Sequence, residues 1–250
     1  MITYRTMMPN DIAEGIKLCR KAKWNQLEPE WQLFLKLGPE ACRVATDHNQ
    51  VVGTVTTIRY QDSFSWIGMV LVDPEYRRQG IGIKLLKEAL QILQNEETVK
   101  LDATPQGREI YLKLNFVDEY SLTRMNCIVA ADIVYQAKAR PILKEDLPLL
   151  VEFDSEIFGA KRSDLLHWMW DNAPQFAFLI EEENEIKGYS LGRKGHDFIH
   201  IGPVIAQNLS IAKDLVLAAM QNCAGHPLIL DVLHFEPEWI TWLKEIGFTE

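Results

Sequence analysis

No apolar run in the 250 residues approaches the eighteen or so needed for a membrane span, and Met1 to Asn10 lacks the apolar core of a signal peptide. The four cysteines, Cys19, Cys42, Cys127 and Cys223, are scattered, with no Cys-x-x-Cys pair and no nearby His at ligand spacing, which argues against a structural metal. They read as reduced, buried thiols, and the chain reads as cytosolic, with no membrane partner. Basic residues are outnumbered, 26 Lys and Arg against 35 Asp and Glu, and the net charge of −9 argues against a nucleic-acid partner. There is no G-x-x-x-x-G-K-[ST], so a P-loop is excluded.

What is present is duplicated. "YRTMMPNDIAEGIKLC" from Tyr4 is echoed by "ARPILKEDLPLLVEFD" from Ala139, which sets Arg5 on Arg140 and Asp11 on Asp146, each 135 residues on. Val51-Val52-Gly53 matches Ile186-Lys187-Gly188, Gly68 matches Gly202, Leu101-Asp102 matches Leu230-Asp231, and Phe116 matches Phe248. Matches in the same order, at offsets of 129 to 135 residues, indicate two α/β domains of the same fold, since solenoid repeats are far shorter. The boundary is expected near Asp132 to Lys138, giving domains 1–133 and 138–250. The acidic excess lies in the second: residues 1–135 carry 16 basic against 17 acidic side chains, and residues 136–250 carry 10 against 18. An anionic ligand approaches the first half more easily.

In the first copy, periodicity and turn signals predict strands over Thr3–Met8, Cys42–Thr46, Val51–Tyr60, Phe64–Val72 and Val99–Ala103. Helices are predicted over Asp11–Ala22, capped by Asn10, and over Pro29–Leu37, Ile83–Leu93 and Arg108–Leu114. A last extended stretch covers Phe116–Val129. The fold class is α/β, of the α+β type, with a mixed sheet flanked by helices.

Duplication supplies an internal control: what both copies keep is fold, and what one copy keeps is a candidate for chemistry. "VLVDPEYRRQGIGIKLL" fails to repeat. Val72 to Leu85 spans 13 positions where Ala206 to Leu215 spans 9, and the "QNLSIAKD" of the second copy has no glycine. A glycine loop between strand and helix leaves N–H groups open to an anion at the positive end of the helix dipole, and Arg77 and Arg78 add charge. A Rossmann fingerprint is not met, because Leu85 stands where Gly or Ala belongs. Asp102, which imitates the ribose ligand of that fold, has a counterpart in Asp231 and reads as structural.

Arg77-Arg78-Gln79-Gly80-Ile81-Gly82 resembles the [RQ]-x-x-G-x-[GA] pyrophosphate loop of the GNAT superfamily of acyl-CoA-dependent N-acyltransferases. "LDATPQGREIYLKLNF" is similar to its second recognisable segment, and the second half resembles the degenerate C-terminal domain of tandem members. Asn115 departs from the usual Gly before Phe. The chain stops two residues after Phe248, which leads to the expectation that the second domain lacks its last strand, meaning either an unpaired sheet edge or a truncated sequence.

The resemblance implies acetyl-CoA as cosubstrate and no metal. Its pantetheine arm would lie along Val70, Leu71 and Val72, and its pyrophosphate would lie on Arg77, Arg78, Gln79, Gly80, Ile81, Gly82 and Ile83. It also implies direct attack by an amine, with Tyr111 protonating the leaving thiolate; the alternative for Tyr111 is simple packing in the core. The repeat places Trp242 at the same position. No base stands out: Phe64–Val72 carries no acidic residue, and Glu28, Asp62 and Asp102 have surface or structural explanations. Trp24, Asn25 and Gln26, replaced by Gly159-Ala160-Lys161 in the second copy, suit an amine with polar substituents, whereas an inward-packed Trp24 is the plain alternative. Two functions of different class follow. One is an N-acetyltransferase acting on a small-molecule amine or a protein lysine. The other is a non-catalytic acyl-CoA sensor or interaction module.

Overall fold

A computed structural model describes residues 1–60, 63–130, 138–234 and 237–250. The chain divides into two units, Met1–Val117 and Asp118–Glu250.

The first unit runs β1 (Thr3–Thr6), α1 (Ile12–Lys21), α2 (Glu28–Leu37), β2 (Arg43–Asp47), β3 (Gln50–Tyr60), β4 (Phe64–Val72), α3 (Ile81–Ile92), β5 (Val99–Leu101) and α4 (Pro105–Leu112). Its sheet has the order β1-β2-β3-β4-β5, antiparallel except for β4 and β5, which run parallel. The two faces of β4 go to different cores, and an extra residue at Met69–Val70 swaps the parity of the strand after Ile67. Met69 and Leu71 join Trp31, Leu18 and Met7 under α1 and α2. Ile67 joins Val52, Val55, Leu85 and Leu86 under α3, where Val70 and Val72 also pack.

The second unit runs β6 (Leu122–Ile128), β7 (Arg140–Pro141), α5 (Leu147–Phe158), α6 (Ser163–Asn172), β8 (Phe178–Glu182), β9 (Glu185–Arg193), β10 (Ile199–Ala206), α7 (Leu209–Gln221), β11 (Pro227–Leu233) and α8 (Pro237–Glu245). From β7 to α8 it repeats the order of β1 to α4. Its sheet is β6-β11-β10-β9-β8-β7.

The duplication extends to side-chain chemistry. Arg5 grips Asp11 through two bonds of 2.6 and 2.8 Å, and Asp11 accepts the Met8 N–H at 2.7 Å. Arg140 grips Asp146 at 2.6 and 2.9 Å, and Asp146 accepts the Leu143 N–H at 2.7 Å. The matched Arg and Asp therefore tie β1 and β7 to the turns entering α1 and α5. Asp11, in place of the expected Asn10, is the residue that precedes α1, but its carboxylate caps none of that helix's N–H groups and turns back instead to Arg5 and the Met8 N–H.

The expected boundary and the expected free edge both change. The units part after Val117, upstream of the expected 132–138 boundary, of which residues 132–137 lie outside the described residues. The stretch read as the end of the first copy is β6, which pairs antiparallel with β11 from Leu122–Leu233 to Ile128–Pro227. Arg124 fixes that register by donating two hydrogen bonds to the Asp231 carboxylate, each 2.7 Å. On the other side of β6, Asn126 and Thr249 exchange backbone bonds of 2.7 and 2.8 Å. The edge of β11 expected to be open is thus covered.

Candidate functional site

The first unit holds a place where two parallel strands separate. β4 and β5 pair only at Ser65–Val99, Trp66–Lys100 and Ile67–Leu101. Two residues later Met69 has a φ of 50°, and Met69 and Val70 together oppose Val55 alone on β3. Such a bulge bends its strand and raises its twist. Beyond it Leu71 and Val72 keep their partners on β3, Thr54 and Gly53, while their other edge has no strand partner among the described residues. An extended chain can add to an edge of that kind.

Val72 leads into the glycine loop. Asp73 caps the short turn Pro74–Tyr76 by accepting the Glu75 N–H at 3.1 Å, and Arg77 Nε donates to the Val72 carbonyl at 3.3 Å. Arg78 and Gly80 both have positive φ, 62° and 79°, and among the described residues no heavy atom lies within 4 Å of where a Gly80 Cβ would stand. Gly80 is also the N-cap of α3, and no side chain among the described residues caps that end. The N–H groups of Ile81, Gly82 and Ile83 precede the first helical bond, from Lys84 N–H to the Gly80 carbonyl. Arg77, Arg78, Gln79 and Gly80 are exposed around them. Open N–H groups, a helix dipole and two guanidinium groups fit a pyrophosphate.

The second unit closes the same place. α7 begins at Asn208, whose side chain accepts the Ile211 N–H at 3.0 Å. The shortened loop thereby trades an open helix end for a self-capped one. Both units nevertheless keep a ring N–H to carboxylate link where the parallel strands part. Trp66 Nε1 donates to Asp102 at 3.2 Å, and His200 Nε2 lies 3.3 Å from Asp231. Burial would raise the Asp231 carboxyl, but Arg124 and His200 outweigh it and hold it far below the usual range.

One contact of the loop had no sequence signal. Lys21, at the end of α1, donates to Asp73 at 2.6 Å, so the helix preceding Trp24-Asn25-Gln26 is pinned to the start of the glycine loop. Arg20 holds the connection itself, donating to the Trp24 carbonyl at 2.8 Å and the Gln26 carbonyl at 2.7 Å. Trp24 packs half-buried on the core under α1 and α2, Asn25 is buried, and Gln26 Oε1 is buried without a partner among the described residues. Of the residues considered as a base, Glu28 is exposed on α2 and Asp62 lies outside the described residues.

Tyr111 sits on α4, which starts with Thr104 accepting the Gly107 N–H at 3.1 Å. Its ring packs against Phe116 at 6.0 Å and against the α3 core. Burial pushes its hydroxyl pKa upward, so it stays protonated at neutral pH. Trp242 instead stacks on Trp239 at 5.1 Å. The Cys127 thiol, on β6, is buried and pushed up to about 11, which makes it a poor nucleophile.

Residues 38–118 match a family model described as an acetyltransferase (GNAT) domain, and residues 150–250 match a second of the same description. The chain belongs to the GNAT acetyltransferase family, in a tandem form with one such domain in each unit. It is 24% identical over 229 residues to the holothin acyltransferase of Pseudoalteromonas sp. (strain SANK 73390), spanning 91% of this chain and 78% of that protein. Among solved structures it is similar to a candidate acetyltransferase of Pyrococcus horikoshii, with TM-score 0.80 and 23% identity over 99% of this chain and 85% of that one. It is also similar to a tandem GNAT protein from the clavulanic acid biosynthesis pathway, with TM-score 0.67 and 13% identity over 99% of this chain and 95% of that one. The fold and the family agree on acyl transfer.

Proposed function

We propose that the protein transfers an acetyl group from acetyl-CoA to a primary amine by direct attack in a ternary complex, using the first unit as its catalytic domain. The observation that carries this reading is the uncapped N-terminus of α3 behind Gly80, joined to the partnerless edge of Leu71 and Val72. Acetyl-CoA brings the activated thioester that the amine attacks, releasing free thiol. Ile81, Gly82 and Ile83 offer N–H groups to its pyrophosphate, with Arg77, Arg78 and Gln79 around them. Val70, Leu71 and Val72 offer backbone bonds to the pantetheine. Tyr111, kept protonated by burial, supplies the proton for the departing thiolate. Trp24, Asn25 and Gln26 flank the acceptor, with the side-chain Oε1 of Gln26 ready for a donor.

The absence of any acidic residue on β4 favours a second reading, a CoA-binding sensor without turnover. Thiol release from acetyl-CoA across a library of small amines and lysine peptides separates the two. Amine-dependent release supports the transferase, and acetyl-CoA binding with no release supports the sensor.

A further inference from the structure

β3 carries three buried threonines, Thr54, Thr56 and Thr57, each at most 1% exposed. Two have satisfied hydroxyls: Thr54 Oγ1 donates to the Met69 carbonyl at 2.8 Å, bracing the bulge, and Thr57 Oγ1 donates to the Ala41 carbonyl at 2.8 Å. Thr56 Oγ1 has no partner among the described residues. A hydroxyl buried without a bond is costly, so its retention needs a reason.

Its surroundings supply one. Thr56 is the register partner of Gly68, the residue just before the bulge and just after the last β4–β5 pair. A Cβ on Gly68 would have one heavy atom within 4 Å among the described residues, Thr56 Oγ1 at 3.6 Å. Gly68 therefore leaves the fork of the sheet unfilled beside the orphan hydroxyl, where a side chain would otherwise stand. Ile67 points to the α3 core and Met69 to the core under α1 and α2, so Gly68 and Thr56 face the side of α1 and α2. The α1–α2 connection, with the second orphan acceptor Gln26 Oε1, belongs to that side too.

We propose that the Thr56 hydroxyl is a specificity-determining group for the acceptor. It bonds to a polar substituent close to the reacting nitrogen, and Gly68 leaves the space in which that substituent lies. The acceptor class is then a primary amine bearing a nearby hydrogen-bonding group, a hydroxyl in the simplest case, rather than an alkylamine. This deepens the acetyl-transfer reading and rests on it.

The test compares isosteric pairs: ethanolamine with n-propylamine, and 2-amino-1,3-propanediol with 3-aminopentane. Wild type is expected to favour the hydroxyl-bearing member in kcat/KM by roughly 3- to 10-fold, the worth of one ordinary hydrogen bond. Thr56→Val keeps the shape and deletes the hydroxyl. It should bring both ratios within twofold, leave the acetyl-CoA-induced thermal shift unchanged and raise the Tm of the free protein, because a buried orphan is removed. Gly68→Ala meets Thr56 only at ordinary contact distance, so it should fold normally and raise KM for both members of each pair. Ser65 is the control: its hydroxyl is also buried and orphaned, but it lies on the opposite face of β4, so Ser65→Ala should raise Tm without changing the ratios. An active wild type without discrimination overturns the inference, as does a Thr56→Val variant that keeps the wild-type ratios. A wild type that binds no acetyl-CoA, or that acetylates no amine in the library, overturns the acetyl-transfer reading and this inference together, a result visible before any variant is made.

Discussion

Lys21 Nζ lies 2.6 Å from Asp73 Oδ2, a contact across 52 residues that joins the end of α1 to the first residue of the glycine loop. Asp73 is almost wholly buried while Lys21 is half exposed. Burial alone would raise the Asp73 carboxyl, but the bonds from Lys21 and the Glu75 N–H outweigh it and hold it below the ordinary value. A carboxylate depressed in the folded state adds stability that is complete above the unfolded pKa and is lost as pH falls through the folded one. Lys21→Met should therefore move the midpoint of acid unfolding upward, on the order of half a pH unit. The same change should weaken acetyl-CoA binding, since the loop loses its anchor. Acid titration followed by circular dichroism checks the first effect and calorimetry the second.

The loop variants test the anion site directly. Acetyl-CoA at a hundred times its Kd should raise the wild-type Tm by about 5–10 °C through mass action. Gly82→Asp places a carboxylate at the positive end of α3, where it suits the helix dipole but repels the pyrophosphate. It should keep the fold and lose most of the shift, as should Arg78→Glu. Unchanged shifts in both variants would move the site elsewhere.

Stoichiometry should be one acetyl-CoA per chain. Asn208 already occupies an N–H at the start of α7, and the shortened loop has no glycine. Titration calorimetry reporting two equivalent sites would show that the second unit is not closed.

Tyr111→Phe deletes one hydroxyl and leaves the ring against Phe116. The thiolate leaves moderately well without help, so kcat should fall by one to three orders of magnitude, about 1.4–4 kcal/mol in barrier, with acetyl-CoA affinity nearly unchanged. Trp242→Phe should leave the chemical step alone. A kcat within twofold of wild type, with chemistry limiting turnover, would place the acid elsewhere.

Much of this was written locally. The helices over Ile12–Lys21 and Ile81–Ile92 follow from 3.6-residue periodicity, and β4 coincides with its predicted Phe64–Val72. The glycine loop was visible because Gly80 and Gly82 have no counterparts in the second copy, and a duplicated sequence exposes such a difference without any structure. Arg5–Asp11 and Arg140–Asp146 were visible as matched letters, although their meaning as strand-to-turn clamps was not.

What the sequence by itself determined, then, was the set of elements, their duplication, and the copy that carries the anion loop, because helix periodicity, glycine backbone freedom and helix-end chemistry all act over a few residues. Tertiary structure alone decided which sheet β6 joins. Leu122–Ile128 is a plausible strand for either unit, and its assignment comes from pairing with Pro227–Leu233, a hundred residues away, under the grip of Arg124 on Asp231. It also decided the states of Asp73 and Thr56. An Asp before Pro74 reads as a turn cap and a Thr on β3 as an ordinary strand former. Lys21 brought in from α1 makes the first an anchor. The bulge at Met69 and the bare Cα of Gly68 leave the second with a buried hydroxyl that has no partner among the described residues, because pairing register and burial depend on chain segments that no local pattern specifies.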